Sequence, residues 1–519
     1  MDNMLSVEGR HAMPKWLRSA VFYEVYPQSF KDTNGDGIGD IQGIIDELEY
    51  IKCLGCNAIW LNPCFDSPFQ DAGYDVRNYK KVARRYGTNG DLKRCFSEAH
   101  KKGMRVLLDL VPGHTSITHR WFRMSQKDEE NSFTDRFIWT DSVWNKSLDP
   151  QSISGISERN GSFCLNFFAF QPALNYGFYE RTALWQKSID DPASIATREA
   201  IEDVMCFWLA AGCDGFRVDM AGSLVKNDPE RIGTCTVWRD ILSSVRRKYP
   251  EMAVVSEWSD PPKAINKAGF DMDFYLSERG NGYVSLMRDA MPFFSKEGKG
   301  DITRFLDEYL PWYEETKGKG YISLITGNHD TIRISRTLDD RQLRLAYAFL
   351  FTMPGVPFLY YGDEIGMRYL PLKSKEGGYQ RTGSRTPMQW GGGKNLGFSD
   401  ASPESLYLPV DEEPDAPTVQ KEERDPASLL SFVRSVLTLR REHQELGSDP
   451  NFGVVYAEKG TCPFVYRRGS FLVTVNPSSS SVRLSLSESG RRIFGVGSSS
   501  LENGVLSMEG QSFGVFSTR

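Results

Sequence analysis

Short apolar runs recur along the chain at 21–26, 58–61, 106–111, 214–219, 254–258, 272–275, 322–326 and 357–362. The intervals carry helical spacing, as in Ile44, Leu48 and Ile51, or Ile201, Val204, Met205, Trp208 and Leu209. Strand–helix alternation predicts a parallel sheet, because each crossover returns the chain to the same edge. Eight such units predict a closed α/β fold, the (β/α)8 TIM barrel. The rhythm breaks between about 115 and 175, a stretch rich in Ser, Asn, Asp and aromatics that predicts an inserted subdomain after strand three. A polar loop at about 391–424 leads to Asp425-Pro426, which is expected to cap a helix carrying Leu429, Phe432, Val433, Val436, Leu437 and Leu439. Beyond it, runs at 464–466, 471–475 and 492–496 alternate with Ser/Gly turns and predict a C-terminal all-β domain. The expected domains are a catalytic barrel (1–112 and 176–445), subdomain B (113–175) and a β-sandwich (446–519).

Polar residues interrupt this pattern at particular places. Asp109, Asp219, Glu257 and the pair His329-Asp330 all fall at the C-terminal ends of predicted strands, the active face of such a barrel. In Asp214-Gly-Phe-Arg-Val-Asp219, Arg217 and Asp219 lie two apart on a strand and so point the same way. A buried, unpartnered cation would cost several kcal/mol, so both are expected to face one polar cavity. Two carboxylates at consecutive strand ends suit a mechanism with one nucleophile and one proton donor. For either stretch taken alone, acids capping helices or forming salt bridges serve as well. The coincidence at several strands favours chemistry.

Composition narrows the partners. A net charge of −6 and a pI near 5.7 argue against nucleic acid or an anionic membrane, and 12% aromatics suggests stacking surfaces for a neutral substrate. The most apolar long run, 345–361, contains Pro354, Gly355 and Pro357 and predicts a buried helix turning into a strand. The first twenty residues lack a signal-peptide core, and nine scattered cysteines suggest reduced thiols. A cytoplasmic enzyme without an organic cofactor is expected. Cys53-Leu-Gly-Cys56 is expected to serve packing. In the loop 32–40, Asp32, Asn34, Asp36 and Asp40 carry oxygens at alternate positions, with the Ile38 carbonyl between the last two. This spacing predicts a structural Ca²⁺ site, distinct from an EF-hand because position twelve is Gly43.

Four segments in this order, Asp109-Leu-Val-Pro-Gly-His114, Gly215-Phe-Arg-Val-Asp219, Ser256-Glu257 and Asn328-His-Asp330, resemble those of glycoside hydrolase family 13, the α-amylase family. Gln171-Pro-Ala-Leu-Asn175 and Arg385-Thr-Pro-Met-Gln-Trp390 are similar to its oligo-1,6-glucosidase and α-glucosidase branch. The resemblance implies that Asp219 is the nucleophile, Glu257 the general acid/base, and Asp330 the carboxylate that grips sugar hydroxyls. It implies that Arg217 keeps Asp219 ionised, that His114 and His329 bond the same sugar, and that Tyr74 stacks on it. Asp71 and Arg381 would pair at the terminal glucose, making the enzyme exo-acting on short α-glucosides. Four departures stand out: Gly113 replaces the usual Asn, Ala173 the usual Asp, Ser223 stands where α-amylases tend to carry a His, and Met220 gives no linkage preference. A transglucosidase, trehalose synthase or sucrose-acting enzyme would use the same residues. A non-catalytic relative, such as a transporter heavy-chain ectodomain, loses the catalytic carboxylates and carries an anchor. This chain keeps Asp219, Glu257 and Asp330, and no anchor is expected.

Overall fold

The computed structural model describes residues 11–377 and 381–518. The first ten residues, on which part of the signal-peptide reading falls, lie outside the described residues. Eight strands form one sheet: β1 (Phe22–Val25), β2 (Ala58–Leu61), β3 (Arg105–Leu110), β4 (Gly215–Val218), β5 (Ala253–Ser256), β6 (Met272–Phe274), β7 (Tyr321–Ser323) and β8 (Phe358–Tyr360). Their order is β7-β6-β5-β4-β3-β2-β1-β8, each strand beside its sequence neighbour. The β1–β2, β1–β8, β2–β3, β4–β5 and β5–β6 ladders are parallel. A parallel bridge between Ile325, just past β7, and Phe358 joins the two ends and closes the barrel. This is the predicted (β/α)8 fold, and all eight expected strands are present.

Packing explains the short strands. Phe22 and Phe358 stack with ring centroids 4.3 Å apart, and Phe274 and Trp60 lie 4.8 and 6.1 Å from Phe358. Aromatics from β1, β2, β6 and β8 thus fill the interior, each burial contributing about 1.5–3 kcal/mol. Gly215 opens β4 at φ +149°, and a Cβ there would sit 1.8 Å from the Ala253 carbonyl oxygen. Only glycine lets β4 approach β5 so closely. The helix Pro192–Ala211 feeds β4, started by the Asp191 side chain on the Ala193 N–H and stopped by Gly212 in the left-handed region.

The chain divides into two compact units. The first holds the segment ending at Leu17, Phe65–Lys80 and Asp109–Asp273. Its irregular part contains a small hairpin, Ser152–Ser154 with Ser162–Cys164, and a nest of Phe122, Phe137, Trp139 and Phe163 rings. The second holds Arg18–Cys64, Lys81–Leu108 and Phe274–Arg519. It ends in a five-stranded and a three-stranded antiparallel sheet. Val465, Leu472, Leu501, Leu506, Met508 and Phe516 form a core there.

One cap lies three residues later than the sequence suggests. The helix starts at Leu429 and is capped by Ser428, whose Oγ accepts from the Ser431 N–H. Asp425 instead accepts from the Ala427 N–H in the turn before it. The 345–361 run is, as expected, the end of the helix Asp340–Thr352 followed by β8. No helix among the described residues is long and apolar enough to cross a membrane. No disulfide joins the nine cysteines.

In the 32–40 loop, Asp32 accepts from the Asn34, Gly35 and Gly37 N–H groups and from Ser399 Oγ. Asp36 accepts from the Ile38 N–H, and Asp40 caps the helix Ile41–Asp46 while accepting from Thr33. These bonds alone account for the turn. Among the described residues, no three His, Cys, Asp or Glu side chains converge as a metal site requires. The Ca²⁺ assignment therefore rests on spacing and is carried below as a proposal.

Candidate active site

The ends of β3, β4 and β5 assemble one cluster in the first unit. Arg217, on β4, is almost fully buried, as the alternation demanded. Its Nη1 donates to Asp109 at 2.7 Å, to Asp219 at 3.0 Å and to the Tyr74 hydroxyl at 3.3 Å. Its Nη2 reaches Glu257 Oε2 at 2.8 Å. Tyr74 donates in turn to Asp109 at 3.0 Å, and its ring faces the guanidinium. The backbone continues the ladders past the strands: the Asp219 N–H donates to the Leu110 carbonyl, and the Glu257 N–H to that of Val218. Met220, directly after Asp219, sits at φ +41° and donates its N–H to Glu257 Oε2 at 2.9 Å. A non-glycine residue held in that region stores strain, and here the strain buys a fixed carboxylate.

One guanidinium thus faces three carboxylates. Burial, and after it repulsion from Glu257, pushes the Asp219 carboxyl well above the usual carboxylate range, with Arg217 opposing. The same carboxylates hold Arg217 charged despite its burial. The cluster therefore keeps a proton at a pH where isolated carboxyls have lost theirs.

Two further predicted residues belong to this unit. Asp71 is buried and accepts from Gln171 Nε2 at 2.7 Å. Its loop is tied by Asp75, which accepts from the Gln70 and Asp71 N–H groups and from Ser67. Burial pushes the Asp75 carboxyl up to about 6. His114 is buried beside Asn166, with burial holding its ring neutral by pulling it down to about 3.

The second unit assembles a different cluster. Asp330 accepts from Arg381 at 2.6 Å and from Arg385 at 2.9 Å on Oδ1, and pairs with His329 Nε2 at 2.9 Å on Oδ2. His329 Nδ1 lies 2.9 Å from Glu24, which projects from β1. Both ring nitrogens therefore face carboxylates, and against the effect of burial Asp330 and Glu24 favour the imidazolium. Arg385 also donates to the His329 carbonyl and to Glu376, which accepts from Tyr26 as well. Burial works against the Asp330 charge, but His329, Arg381 and Arg385 hold its carboxyl well below the usual range. The Arg381 and Arg385 guanidinium groups and the His329 ring here face Asp330, Glu24 and Glu376.

Glu24, Arg385 and Glu376 are structural partners that sequence reasoning left without a role. Glu24 carried a signal, being the single acid inside the apolar run 21–26. Arg385 lay in a quoted motif. Glu376 sits in a loop with no pattern.

Residues 24–449 match the family model described as alpha amylase, catalytic domain. The chain belongs to the α-amylase family. It is 31% identical over 507 residues to the trehalose synthase/amylase TreS of Mycobacterium tuberculosis, covering 85% of this chain and 79% of that one. It is 30% identical over 504 residues to the oligo-1,6-glucosidase of Heyndrickxia coagulans, covering 83% and 86%. Among solved structures, the isomaltulose synthase of Erwinia rhapontici with D-glucose superposes with a TM-score of 0.80 at 25% identity, over 98% of this chain and 99% of that one.

Proposed function

We propose that this chain is a retaining, exo-acting α-glucosidase that releases terminal glucose from short α-glucosides. The observation that carries it is the sharing of Arg217 by Asp219 and Glu257, on neighbouring nitrogens of one guanidinium. Carboxylates bridged so closely favour the separation of about 5–5.5 Å used for retention over the roughly 6.5–9.5 Å that leaves room for an inverting water. Asp219 attacks the anomeric carbon as the bond to the leaving oxygen breaks, and Glu257 gives that oxygen its proton. Glu257, now a carboxylate, takes a proton from water, which attacks the same carbon and frees Asp219. Asp330, locked in its anionic form, would hold sugar hydroxyls. Asp71 and Arg381 are assigned to the terminal glucose, so that a chain is admitted only by its non-reducing end. The substrate is a small neutral oligosaccharide, and the loop 32–40 is proposed to bind Ca²⁺ structurally.

A second reading keeps these residues but lets a sugar hydroxyl replace water. It is favoured by the similarity to trehalose synthase/amylase and isomaltulose synthase. A cavity of about 580 Å³ also opens along the loop just after the nucleophile, lined by Asn166, Phe167, Ser223, Lys226, Asp228 and Arg231. Its polar wall suits an acceptor sugar. Incubation with maltose, isomaltose, sucrose, trehalose and starch, followed by product analysis, decides between them. Free glucose of retained α-configuration supports hydrolysis, and a new disaccharide in its place supports transfer. Inverted product would defeat both.

A further inference from the structure

Glu376, in the loop after β8, is almost fully buried. Its Oε2 accepts from the Tyr26 hydroxyl and from Arg385 Nη1, each at 3.1 Å. Its Oε1 accepts from Gln28 Nε2 at 3.4 Å and from the Tyr407 hydroxyl. Arg85 Nη1 donates to Gln28 Oε1 at 2.9 Å, which turns the NH2 group of that amide towards Glu376. Donors from three separate segments thus fix this carboxylate before any substrate arrives.

Arg385 is the group that this arrangement holds. Its buried guanidinium places Nε on the His329 carbonyl at 2.8 Å, Nη1 on Glu376 and Nη2 on Asp330 Oδ1 at 2.9 Å. It also lies over the Tyr26 ring, 5.4 Å from the centroid. A guanidinium and a carboxylate left to themselves favour a fork of two parallel N–H···O bonds. Here the two terminal nitrogens are divided between two carboxylates, so Asp330 receives one bond from Arg385 and not two. Asp330 takes Arg381 and Arg385 on Oδ1 and His329 on Oδ2. A carboxylate offers about four lone-pair sites, and these three donors leave one, on Oδ2. The Asp330 side chain is 32% exposed, so a ligand can reach it.

We infer that Glu376 is a positioning residue: by holding Arg385 Nη1 away from Asp330, it keeps one Asp330 acceptor site free for a substrate hydroxyl. Without that competitor, Arg385 turns its second nitrogen onto Oδ2 and closes the fork. The buried ion pair then occupies the site that a sugar needs. The inference rests on the reading that the site takes α-glucosides, but the position of Arg385 can be measured without sugar.

Crystal structures of the unliganded wild type and of Glu376→Gln test it, since this substitution keeps the size of the side chain and removes its charge. The wild type should show Arg385 divided between Glu376 and Asp330, and the variant should show Arg385 in contact with both Asp330 oxygens. A fork on Asp330 in the wild type refutes the inference, as does an unmoved Arg385 in the variant. On the best α-glucoside, kcat/KM of Glu376→Gln should fall about tenfold or more, mainly through KM. A residue that merely anchors its loop would lower stability and leave the rate constants of folded enzyme alone. Lysine cannot form the fork, so in an Arg385→Lys background the same substitution should cost less than about threefold. Equal losses in both backgrounds overturn the action through Arg385. If Glu376→Gln does not fold, wild-type crystals soaked with glucose decide. Arg385 should stay divided while a sugar hydroxyl sits on Asp330, and an Arg385 that leaves Glu376 when glucose binds refutes the inference. A wild type with Arg385 divided that turns over no α-glucoside counts against the glucosidase reading alone.

Discussion

The two charged clusters are built from the same residue types and behave oppositely. Around Arg217, a single cation serves Asp109, Asp219 and Glu257, and the surplus negative charge keeps a proton in the cluster. Around Asp330, the basic groups His329, Arg381 and Arg385 match Asp330, Glu24 and Glu376 in number and all three contact Asp330, which stays ionised. What separates them is the ratio of basic groups to carboxylates acting together with burial, which is the first cause of the Asp219 shift. A proton that can move is what bond cleavage needs, and a fixed anion is what binding neutral hydroxyls needs. On the function proposed above, the first cluster serves chemistry and the second grip.

The sharpest way to break this comparison is by isosteric substitution. Asp219→Asn and Glu257→Gln should each reduce turnover by on the order of 10⁴-fold or more, since each removes a group to which the proposed mechanism gives a reacting role. Asp330→Asn should cost less, on the order of 10²–10³-fold, because it removes a stabilising contact. Steady-state rates on maltose and isomaltose give the ranking, and equal losses at all three would erase the distinction.

Stability should separate the clusters in sign. Asp330→Asn leaves Arg381, Arg385 and His329 short of a counter-charge. It should destabilise by about 1–2 kcal/mol, an amount kept small because the Asp330 side chain is 32% exposed. Asp219→Asn relieves a buried carboxylate crowded by Glu257 and should leave stability at pH 7 unchanged or higher. Denaturant unfolding of both variants checks this. A large loss in Asp219→Asn contradicts the charge imbalance.

The pH dependence follows from the same directions. The Asp219 carboxyl is raised in the folded state, so its contribution to stability falls as pH rises from the ordinary carboxylate pKa through the folded value. The Asp330 carboxyl is depressed, so its contribution is present above the ordinary pKa and lost as pH falls through the lower folded one. The acid limb of kcat/KM should therefore lie above the usual carboxylate range and reflect the Arg217 cluster. Asp330→Asn should leave the position of that limb unmoved. A limb at ordinary carboxylate pH would mean the cluster holds no extra proton.

Away from both clusters, the loop 32–40 should give the smallest effect on rate. If it holds Ca²⁺, chelation lowers the unfolding temperature while the initial rate of folded enzyme hardly changes. Unchanged unfolding after chelation, together with no divalent ion in the purified protein, would leave the loop as the set of turns described above.

Much of this was legible in the sequence. Burial of eight short strands writes itself as apolar runs, and Arg217 with Asp219 broke one run as a buried cluster of opposite charges does. Asp109, Asp219, Glu257 and Asp330 could be read because strand ends are fixed by that periodicity. The partners that tune them could not. Glu376 and Tyr407 reach their places through loops, and Asn166 fills the space left by a glycine fifty-three residues earlier. Such contacts depend on three-dimensional closeness that no local spacing encodes. The Ser428 cap illustrates the same limit at short range, since Asp425 and Ser428 both have cap chemistry and only packing chooses between them.

Covalent capture tests the proposed role of Asp219 most directly. Enzyme carrying Glu257→Gln, treated with an activated fluoroglucoside whose cleavage needs no acid, should accumulate a glucosyl adduct. After digestion, mass spectrometry should place that adduct on the peptide holding Asp219. No adduct, or an adduct on another carboxylate, would contradict the assignment of Asp219 as the nucleophile.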